Sequence, residues 1–525
     1  MATAARSSGD MNTLRGLLCR GASDAVALRA PGREPLDYAG LRSQVNATGA
    51  ALAANGVGVQ DRVAIVMPNG PEMTTLFLGV AAHAVAAPLN PGYRESEFDF
   101  YLDDLQASLL LVGAGHDTPA PNVARKRNIP VLTVEVPEGA RAGQLQLTGG
   151  AGGEGEPAQP AAADPALVLH TSGTTSRPKI VPLTQANLAA SATHIAQSLV
   201  LTEVDRCLSV MPQFHIHGLI ASCLAPLQAG GSISCTPGFD ALQFFRWLES
   251  EKPTWYTAVP TMHQAVLARG ARQPEAARKA ELRFLRSSSA SLPPAVFKQL
   301  EELFACPVVE SYGMTEATHQ MTANPLGTGR QKPGTVGVAA GPQVRVADPD
   351  NRFLDTGEEG EIVICGPNVT PGYAGNAAAN ASSFFDDGSG DRWFRTGDQG
   401  VFDDDGYLRI TGRIKEIINR GGEKIAPREV DDVLMEHPDI EQVVTFAVQH
   451  PRLGEEVAVA VVAREGTSPD AAAIRAFARE SLADFKVPRH VVMVDEIPKG
   501  PTGKMQRIGL AKRLGLVPDE PGETP

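Results

Sequence analysis

The sequence predicts a protein with a large N-terminal α/β domain and a small C-terminal α+β domain. Short apolar runs alternate with apolar residues at helical spacing over most of the chain, which is typical of strands buried between helices. The chain has 525 residues, and single hydrophobic cores stop growing at roughly 250–300 residues. Near residue 413 the pattern changes to a shorter block of strands and helices. We therefore predict one domain over 1–413 and a second over 414–525.

The large domain is predicted element by element from its apolar pattern. Buried strands are predicted by three apolar runs, at 63–67, 109–112 and 166–170, and a further strand by the alternating residues 407–411. Residues 113–165 lose the pattern, and the Gly-rich stretch 149–157 predicts a surface loop. After the strand at 166–170 comes a polar loop, and then a helix whose apolar face consists of Leu188, Ala192, Ile195 and Leu199.

The C-terminal block has a pattern of its own. Pro427 suits the first residue of a helix, because the N–H that proline lacks has no partner there in any case. One face of that helix would carry Val430, Val433 and Leu434. Strands are predicted at 443–448 and 457–462, and a further helix face consists of Ile474, Phe477 and Leu482.

Composition excludes several classes of function. The net charge of −13 argues against a nucleic-acid partner, since phosphate backbones require a basic surface. No apolar run approaches the ~20 residues of a membrane helix. The six cysteines form no CxxC pair, which indicates a reducing compartment without a disulfide framework. The first residues lack an apolar signal core, and the terminal GETP is not a peroxisomal SKL-type address, so we expect the cytoplasm rather than the peroxisome.

The stretch 171–179 (TSGTTSRPK) carries the first chemistry. It combines five hydroxyls, a glycine and two cations directly after a predicted buried strand. Hydroxyls and backbone N–H groups of such a loop can hold phosphate oxygens, and a lysine adds positive charge. It is not a Walker A loop, and a flexible polar turn is the alternative. The candidate phosphate ligands are Thr171, Ser172, Gly173, Thr174, Thr175 and Lys179.

This stretch resembles the phosphate loop of the adenylate-forming, AMP-binding enzymes, although Ser176 and Ile180 replace two usual glycines. Four further motifs resemble the same superfamily in the same order: 312–316 (YGMTE), 394–398 (FRTGD), 412–416 (GRIKE) and 498–504 (PKGPTGK). The resemblance implies the adenylate-forming fold with a mobile small domain. It also implies an AMP-forming acyl-CoA synthetase, an acid–thiol ligase that uses ATP, Mg²⁺ and CoA.

The resemblance assigns roles that the residue chemistry supports. Tyr312 offers a ring to adenine, Thr315 can bond the α-phosphate, and Asp398 and Arg413 can reach the ribose. Glu316 is a hard oxygen ligand suited to Mg²⁺, which binds through one or two carboxylates plus substrate phosphates. Each of these residues alone could equally form a surface ion pair. The remaining implied nucleotide contacts are Ser289, Glu310, Ser311 and Gly313.

The C-terminal motifs imply two half-reactions. Lys504 would bridge acyl carboxylate and phosphate during adenylation, where its charge would stabilise the developing negative charge. The small domain would then rotate about Lys415. Gly421, Gly422 and Lys424 would contact CoA, the glycines allowing close approach of the pantetheine arm. A solvated lysine and a hairpin without a function are the alternatives.

The acid pocket is predicted to contain His215, Ser288, Ser289 and His319. Burying such groups without partners costs roughly 1–3 kcal/mol each, so a polar acid with a second carboxylate is favoured. A structural histidine is the alternative for His215, and His217 is equally open to either interpretation.

Several local strings resemble the oxalate–CoA ligases: 170–179 (HTSGTTSRPK), 255–264 (WYTAVPTMHQ), 286–292 (RSSSASL) and 314–321 (MTEATHQM). That resemblance, and not the physics, implies oxalate as the acid and a part in oxalate catabolism. The alternatives are a ligase for another short or aryl acid of the 4-coumarate type, and a catalytically inactive adenylate-binding scaffold. A carrier protein could replace free CoA, but the sequence shows no obligatory protein partner.

Overall fold

The computed structural model describes residues 12–151, 155–171, 178–327, 329–499 and 505–516. Two predicted groups lie outside these ranges: the candidate phosphate ligands Ser172, Gly173, Thr174 and Thr175, and the candidate catalytic lysine, Lys504. Within the described ranges, no helix has the length and apolar character needed to cross a membrane.

The large α/β part comprises the elements up to residue 413. Its helices are α1 (Leu14–Leu18), α2 (Tyr38–Ala54), α3 (Pro71–Ala81), α4 (Glu95–Leu105), α5 (Ala120–Lys126), α6 (Gln185–Ser198), α7 (Ala225–Gln228), α8 (Phe244–Glu251), α9 (Pro260–Gly270), α10 (Pro274–Arg278), α11 (Pro294–Phe304) and α12 (Ala377–Ser383). A π-helical segment spans His217–Leu224 and a 3₁₀ turn spans Thr315–Ala317.

The strands of this part build three sheets. They are β1 (Val26–Arg29), β2 (Leu36–Asp37), β3 (Arg62–Val66), β4 (Val85–Pro88), β5 (Leu109–Gly113), β6 (Val131–Glu135), β7 (Gln146–Thr148), β8 (Pro165–His170), β9 (Ile180–Thr184), β10 (Arg206–Ser209), β11 (Ser232–Cys235), β12 (Trp255–Ala258), β13 (Phe284–Ser287), β14 (Val308–Met314), β15 (His319–Ala323), β16 (Val338–Ala339), β17 (Gln343–Ala347), β18 (Gly360–Cys365), β19 (Phe384–Asp386), β20 (Arg392–Phe402) and β21 (Leu408–Arg413).

Two of these sheets are largely parallel. The first has the order β7-β6-β5-β3-β4-β8-β9, and the second the order β16-β15-β14-β13-β12-β10-β11-β1-β2. Their central strands are parallel and nearly fully buried, as expected when helices cover both faces of a sheet. A third, antiparallel sheet contains β17 to β21.

The small part begins after β21 and has separate cores. It contains β22 (Ile418–Arg420), β23 (Glu423–Ile425), α13 (Pro427–Leu434), β24 (Ile440–His450), β25 (Gly454–Ala463), α14 (Ala471–Ser481), β26 (His490–Met493) and α15 (Leu510–Arg513). Its buried apolar clusters draw only on residues from Ile418 onward, and those of the large part only on residues up to Leu408. The boundary between 413 and 414 stays our prediction, and this separation of cores supports it.

The predicted strands and helices appear close to their expected positions. The segments 63–67, 109–112, 166–170 and 407–411 correspond to β3, β5, β8 and β21, and the face that includes Leu188 lies on α6. Pro427 is the first residue of α13, with Val430 and Leu434 buried and Val433 partly exposed. The stretch 149–157 follows β7 and is only partly described.

Parallel order brings polar loops together at one edge of the second sheet. Strands β10, β12 and β13 are neighbours, and their carboxyl ends are followed by the segments that hold His215 and Ser288–Ser289. Ligands of open α/β sheets bind beyond the carboxyl ends of the strands. The topology therefore places the predicted acid-pocket residues at one location.

Candidate active site

The predicted nucleotide residues Tyr312, Asp398 and Arg413 form one connected group. The Tyr312 hydroxyl donates to Asp398 Oδ2 at 2.5 Å, and Arg413 Nε lies 3.0 Å from Asp398 Oδ1. Asp398 and Arg413 are opposed in the β20–β21 ladder, which fixes their register. The Asp398 carboxylate raises the pKa of Arg413, so this guanidinium stays charged.

A second group surrounds Glu316. The hydroxyl of Tyr373 donates to Glu316 Oε1 at 2.9 Å, and Lys179 Nζ lies 4.2 Å from the centroid of the Tyr373 ring. Burial raises the pKa of Glu316. Burial also lowers the pKa of Lys179, and the charge of Glu316 opposes that shift. A carboxylate and a cation thus meet at the base of the phosphate loop.

The two described ends of the phosphate loop are hydrogen-bonded to each other. The backbone N–H of Thr171 donates to the carbonyl of Lys179 at 3.0 Å, directly between β8 and β9. This bond brings Lys179 next to the beginning of the loop. The loop residues between Thr171 and Pro178 lie outside the described chain.

Gly313 is required by close packing between the adenine motif and the acid pocket. A Cβ at this position would lie 1.7 Å from the carbonyl oxygen of His319. The β14–β15 pairing is irregular between Tyr312 and Gly313, which aligns Gly313 with Gln320. His319 itself has φ 94, a conformation that non-glycine residues rarely adopt. Such strain is often found at binding sites.

The side chains of Ser288, Ser311 and Glu310 bond to nearby backbone. Ser288 is fully buried and its hydroxyl donates to the Ser311 carbonyl at 3.0 Å, while the Ser311 hydroxyl donates to the Ser287 carbonyl at 3.3 Å. Glu310 Oε1 accepts from the Leu292 N–H at 2.9 Å. These bonds join the ends of β13 and β14. The predicted ligand contacts of Ser288, Ser311 and Glu310 stay predictions.

Two imidazole rings stack beside Ser289. The rings of His217 and His319 have centroids 4.8 Å apart and planes inclined by 22°. His217 Nδ1 lies 3.0 Å from the Ser289 hydroxyl, and His215 Nδ1 accepts from the His217 backbone N–H at 3.3 Å. His319 Nε2 is buried and has no hydrogen-bond partner among the described residues. This nitrogen is therefore available to a ligand.

A buried arginine lies next to these rings. Arg286 is fully buried, and its guanidinium donates to Thr257 Oγ1 at 3.2 Å, to Gln320 Oε1 at 3.1 Å and to His217 Nε2 at 3.4 Å. Burial lowers the pKa of Arg286 to about 9. Burial also holds the pKa of His217 well below its usual value, and Arg286 adds to that effect. The pocket thus combines one cation with neutral imidazoles.

The predicted hinge and CoA residues lie in the small part or directly before it. Lys415 is exposed between β21 and β22, close enough to affect Lys179 electrostatically. Gly421 and Gly422 form the turn of the β22–β23 hairpin with φ of 62 and 100, and Lys424 is exposed. Glycine is favoured in such two-residue turns because both positions require positive φ. The turn alone accounts for both glycines, so their contact with CoA stays a prediction.

Comparison with known proteins identifies the family. The AMP-binding enzyme family model matches residues 19–374, and the model of the AMP-binding enzyme C-terminal domain matches residues 429–504. The chain belongs to the AMP-binding enzyme family. The superfamily and the acyl-CoA synthetase class predicted from the motifs are confirmed.

Close relatives of this AMP-binding enzyme are CoA ligases. An oxalate–CoA ligase from Arabidopsis thaliana is 44% identical over 96% of this chain and 99% of its own length. A probable CoA ligase, CCL9, from Humulus lupulus is also 44% identical, over 96% of both chains. The ATP-bound crystal structure of MatB from Rhodopseudomonas palustris superposes with a TM-score of 0.86 at 29% identity, covering 96% of this chain and 98% of MatB. The expected adenylate-forming fold is confirmed.

Four side chains of this AMP-binding enzyme's site were not among the predicted ligands: Thr257, Arg286, Gln320 and Tyr373. The sequence contains an indication for Arg286, because a cation in a buried parallel strand is rare unless it has a function. Thr257 and Gln320 are polar residues in buried strands and gave a weaker signal. Tyr373 lies in a loop, and its contact with Glu316 depends on a fold that local pattern does not reveal.

Proposed function

We propose that this acyl-CoA synthetase is an oxalate–CoA ligase. It would convert ATP, oxalate and CoA into oxalyl-CoA, AMP and diphosphate through an oxalyl-adenylate. The observation that carries the proposal is a polar cluster around His217, which contacts Ser289 and the buried Arg286 and stacks on His319, whose Nε2 has no partner among the described residues. A second carboxylate would meet donors there, and an apolar ring would leave them without partners. The oxalate–CoA ligase relative supports the same acid.

Adenylation would take place between the two groups of nucleotide residues. A carboxylate oxygen of the acid attacks the α-phosphorus, a new P–O bond forms, and the bond to the β-phosphate breaks to release diphosphate. Negative charge develops on the phosphoryl oxygens, where Lys179, Thr315 and Lys504 would stabilise it. Asp398 and Arg413 would hold the ribose and thereby orient the α-phosphate.

Glu316 is the residue that we propose for Mg²⁺. Within the described residues, no cluster of three or more His, Cys, Asp or Glu could hold a metal ion by itself. Mg²⁺ commonly binds through one or two carboxylates with the remaining positions taken by phosphates and water, and a single buried Glu316 fits that mode. When bound, the ion would neutralise charge on the triphosphate. Tyr373 would orient the Glu316 carboxylate toward it.

Thioester formation would follow at the same acyl group. The CoA thiol loses its proton to solvent and attacks the carbonyl carbon of the adenylate as a thiolate, a C–S bond forms, and AMP leaves with the bonding electrons of the C–O bond. We propose that the small domain (414–525) turns about Lys415 between the two steps and presents Gly421, Gly422 and Lys424 to CoA. No obligatory protein partner is required by this scheme, and the cytoplasmic location stays a prediction of the sequence.

The function is tested by measuring AMP release with a panel of acids, in the presence and absence of CoA. We expect oxalate to give the highest kcat/KM and oxalyl-CoA to accumulate only when CoA is present. Acetate, with a methyl in place of the second carboxylate, should be a very poor substrate, because a site built to pair a polar group rejects analogues that lack it. Malonate should be worse than oxalate, since it is one methylene longer.

The same panel separates the alternatives. Faster turnover of 4-coumarate or a fatty acid than of oxalate would refute the oxalate assignment and leave only the ligase class. Absence of AMP release with every acid would favour the inactive scaffold. Product formation with an acyl carrier protein but not with CoA would show that the carrier protein, and not CoA, accepts the acyl group.

A further inference from the structure

Arg286 is a fully buried cation that is not paired with an anion. It lies in β13, in which every residue is buried, and opposite Thr257 of β12. Its bonds go to a hydroxyl, an amide oxygen and an imidazole nitrogen, and its Nε has no partner in the part of the chain that the structure describes. No Asp or Glu of the described chain lies within ion-pair distance of it. A buried unpaired charge is expensive, and an anionic ligand bound nearby would offset part of that cost.

The guanidinium fixes the direction of a hydrogen-bond chain. Arginine can only donate, so the 3.4 Å contact between its guanidinium and His217 Nε2 fits the His217 tautomer that has no proton on Nε2. Thr257 also accepts from Arg286, and its own hydroxyl donates to His217 Nε2 at 2.6 Å. In that tautomer the proton of neutral His217 resides on Nδ1 and is donated to the Ser289 hydroxyl oxygen, which lies 3.0 Å away. The Ser289 proton is consequently free to be donated to a ligand.

His319 places a second ring nitrogen close to His217, and this nitrogen is a donor when it carries the ring proton. Its ring stacks on His217, and its buried Nε2 has no partner in the described chain. Burial, followed by the charge of Arg286, lowers the pKa of His319 well below its usual value, so the ring stays neutral. Ser289 and His319 thus lie on either side of His217, and the positive charge of this cluster comes from Arg286.

We propose that Arg286 is a positioning residue that orients the Thr257–His217–Ser289 hydrogen-bond chain toward donation and supplies the charge that selects an acid with a second anionic group. The proposal deepens the oxalate–CoA ligase assignment and rests on it. The arginine need not touch the acid, because it acts through His217 and through the electric field of a buried cation.

The test compares two acids of the same shape. Oxalate carries two carboxylates, and oxamate carries an uncharged amide in place of the second one. For Arg286→Met we expect the ratio of kcat/KM for oxalate to that for oxamate to fall about 10–100-fold, since a charge-assisted interaction is lost with one acid only. Arg286→Lys keeps the charge and should retain most of the ratio. An equal loss with both acids in Arg286→Met would show a merely structural role and overturn the proposal.

A matched control is available directly before the same strand. Arg283 pairs with Asp205 at 2.6 Å and contacts no acid-pocket residue among the described ones. Arg283→Met should lower thermal stability while leaving the oxalate-to-oxamate ratio unchanged. A fall in that ratio equal to that of Arg286→Met would show that the effect is not specific to the pocket.

A spectroscopic measurement on the wild type does not depend on the variants folding. In protein labelled with ¹⁵N-histidine, the His217 signals, assigned with His217→Asn, should report a neutral ring protonated on Nδ1. A proton on Nε2, or a charged ring at neutral pH, would refute the proposed chain. If the wild type prefers an acid with one carboxylate, the proposed function is wrong. The position of the His217 ring proton, measured in the ¹⁵N-histidine spectrum, still shows separately whether Arg286 orients the hydrogen-bond chain.

Discussion

The hydroxyl of Tyr312 donates to Asp398 Oδ2 at 2.5 Å, which couples the predicted adenine-side ring to the predicted ribose-side carboxylate. Because Arg413 contacts the other oxygen of Asp398, both residues fix the position of this carboxylate, the proposed acceptor for the ribose. Changes on either side of the carboxylate should therefore affect nucleotide binding more than acid binding.

Tyr312→Phe removes this bond and keeps the aromatic ring. We expect KM for ATP to rise about 5–30-fold, which corresponds to the loss of roughly 1–2 kcal/mol from a bond to a charged group. KM for oxalate should change little. Steady-state kinetics with each substrate varied in turn measures both values, and an equal rise in the two would contradict the assignment of Tyr312 to the nucleotide.

Lys504→Ala should nearly abolish ATP–diphosphate exchange, because the lysine is proposed to stabilise the charge that develops at phosphorus. Thioester formation from preformed acyl-adenylate should be spared, since Lys504 is proposed to have left the site by then. Lys499→Ala, five residues earlier and paired with exposed Glu496, is a suitable control. Equal loss of both half-reactions in Lys504→Ala would remove the assigned role.

Lys415→Pro should spare adenylation and slow thioester formation, which is the reverse of the effect expected for Lys504→Ala. The turn at 413–417 is held by bonds from the N–H groups of Glu416 and Ile417 to the Arg413 carbonyl, so adenylation should largely survive. A φ fixed near −65° should obstruct the rotation of the small domain and slow thioester formation. Rapid quench of each half-reaction measures the two rates. A full reaction at the wild-type rate would mean that Lys415 is not the hinge.

His319→Ala should lower kcat/KM for oxalate by about 10–150-fold, since it removes a donor for the second carboxylate worth roughly 1.5–3 kcal/mol. KM for ATP should change little. Gly313→Ala is a second variant at the same place. Its added Cβ would displace the His319 carbonyl, while the imidazole side chain of His319 stays present. Wild-type oxalate kinetics in His319→Ala would remove the residue from the acid pocket.

Glu310 predicts a dependence of stability on pH. Burial raises its pKa to about 7, and the charge of Arg428 on α13 only partly opposes the shift. A carboxyl with a raised pKa in the folded state contributes stability that is complete below its unfolded pKa and is lost as pH rises through the folded value. Between about pH 5 and pH 8 the wild type should therefore lose roughly 1–3 kcal/mol relative to Glu310→Gln.

The measurement is the melting temperature of both proteins at about pH 5.5 and about pH 8. Glutamine can still accept from the Leu292 N–H, so the variant keeps the one bond that the carboxylate makes there. We expect the melting temperature of the variant, relative to that of the wild type, to be higher at the higher pH than at the lower pH. A difference that is independent of pH would show that Glu310 does not titrate in this range.

Much of the fold could be predicted from the sequence because apolar periodicity reports burial directly. Strands such as β3, β5 and β8 are continuous apolar runs, and Pro427 marks the start of α13 at its first residue. The short strand β2 and the pairing order of the sheets were not predictable in this way, because they depend on contacts between distant segments.

The candidate site was predictable where its polar residues are neighbours in the sequence. The motif around Tyr312 and Glu316 and the serines at 287–289 are of this kind. Arg286 and Thr257 are not, because they meet only through the register of β12 and β13. Local patterns likewise could not show that His217, and not His215, bonds to Ser289.

The pairing of β1 with β11 has a consequence for biosynthesis. Leu28 and Ile233 are register partners although about two hundred residues separate them, and the intervening chain builds the whole first sheet. During synthesis, β1 therefore cannot pair with β11 until β11 has left the ribosome. Translation proceeds at about 5–20 residues per second. During that delay of roughly 10–40 seconds the backbone groups on one edge of β1 lack their partner strand, and an unpaired strand edge promotes aggregation.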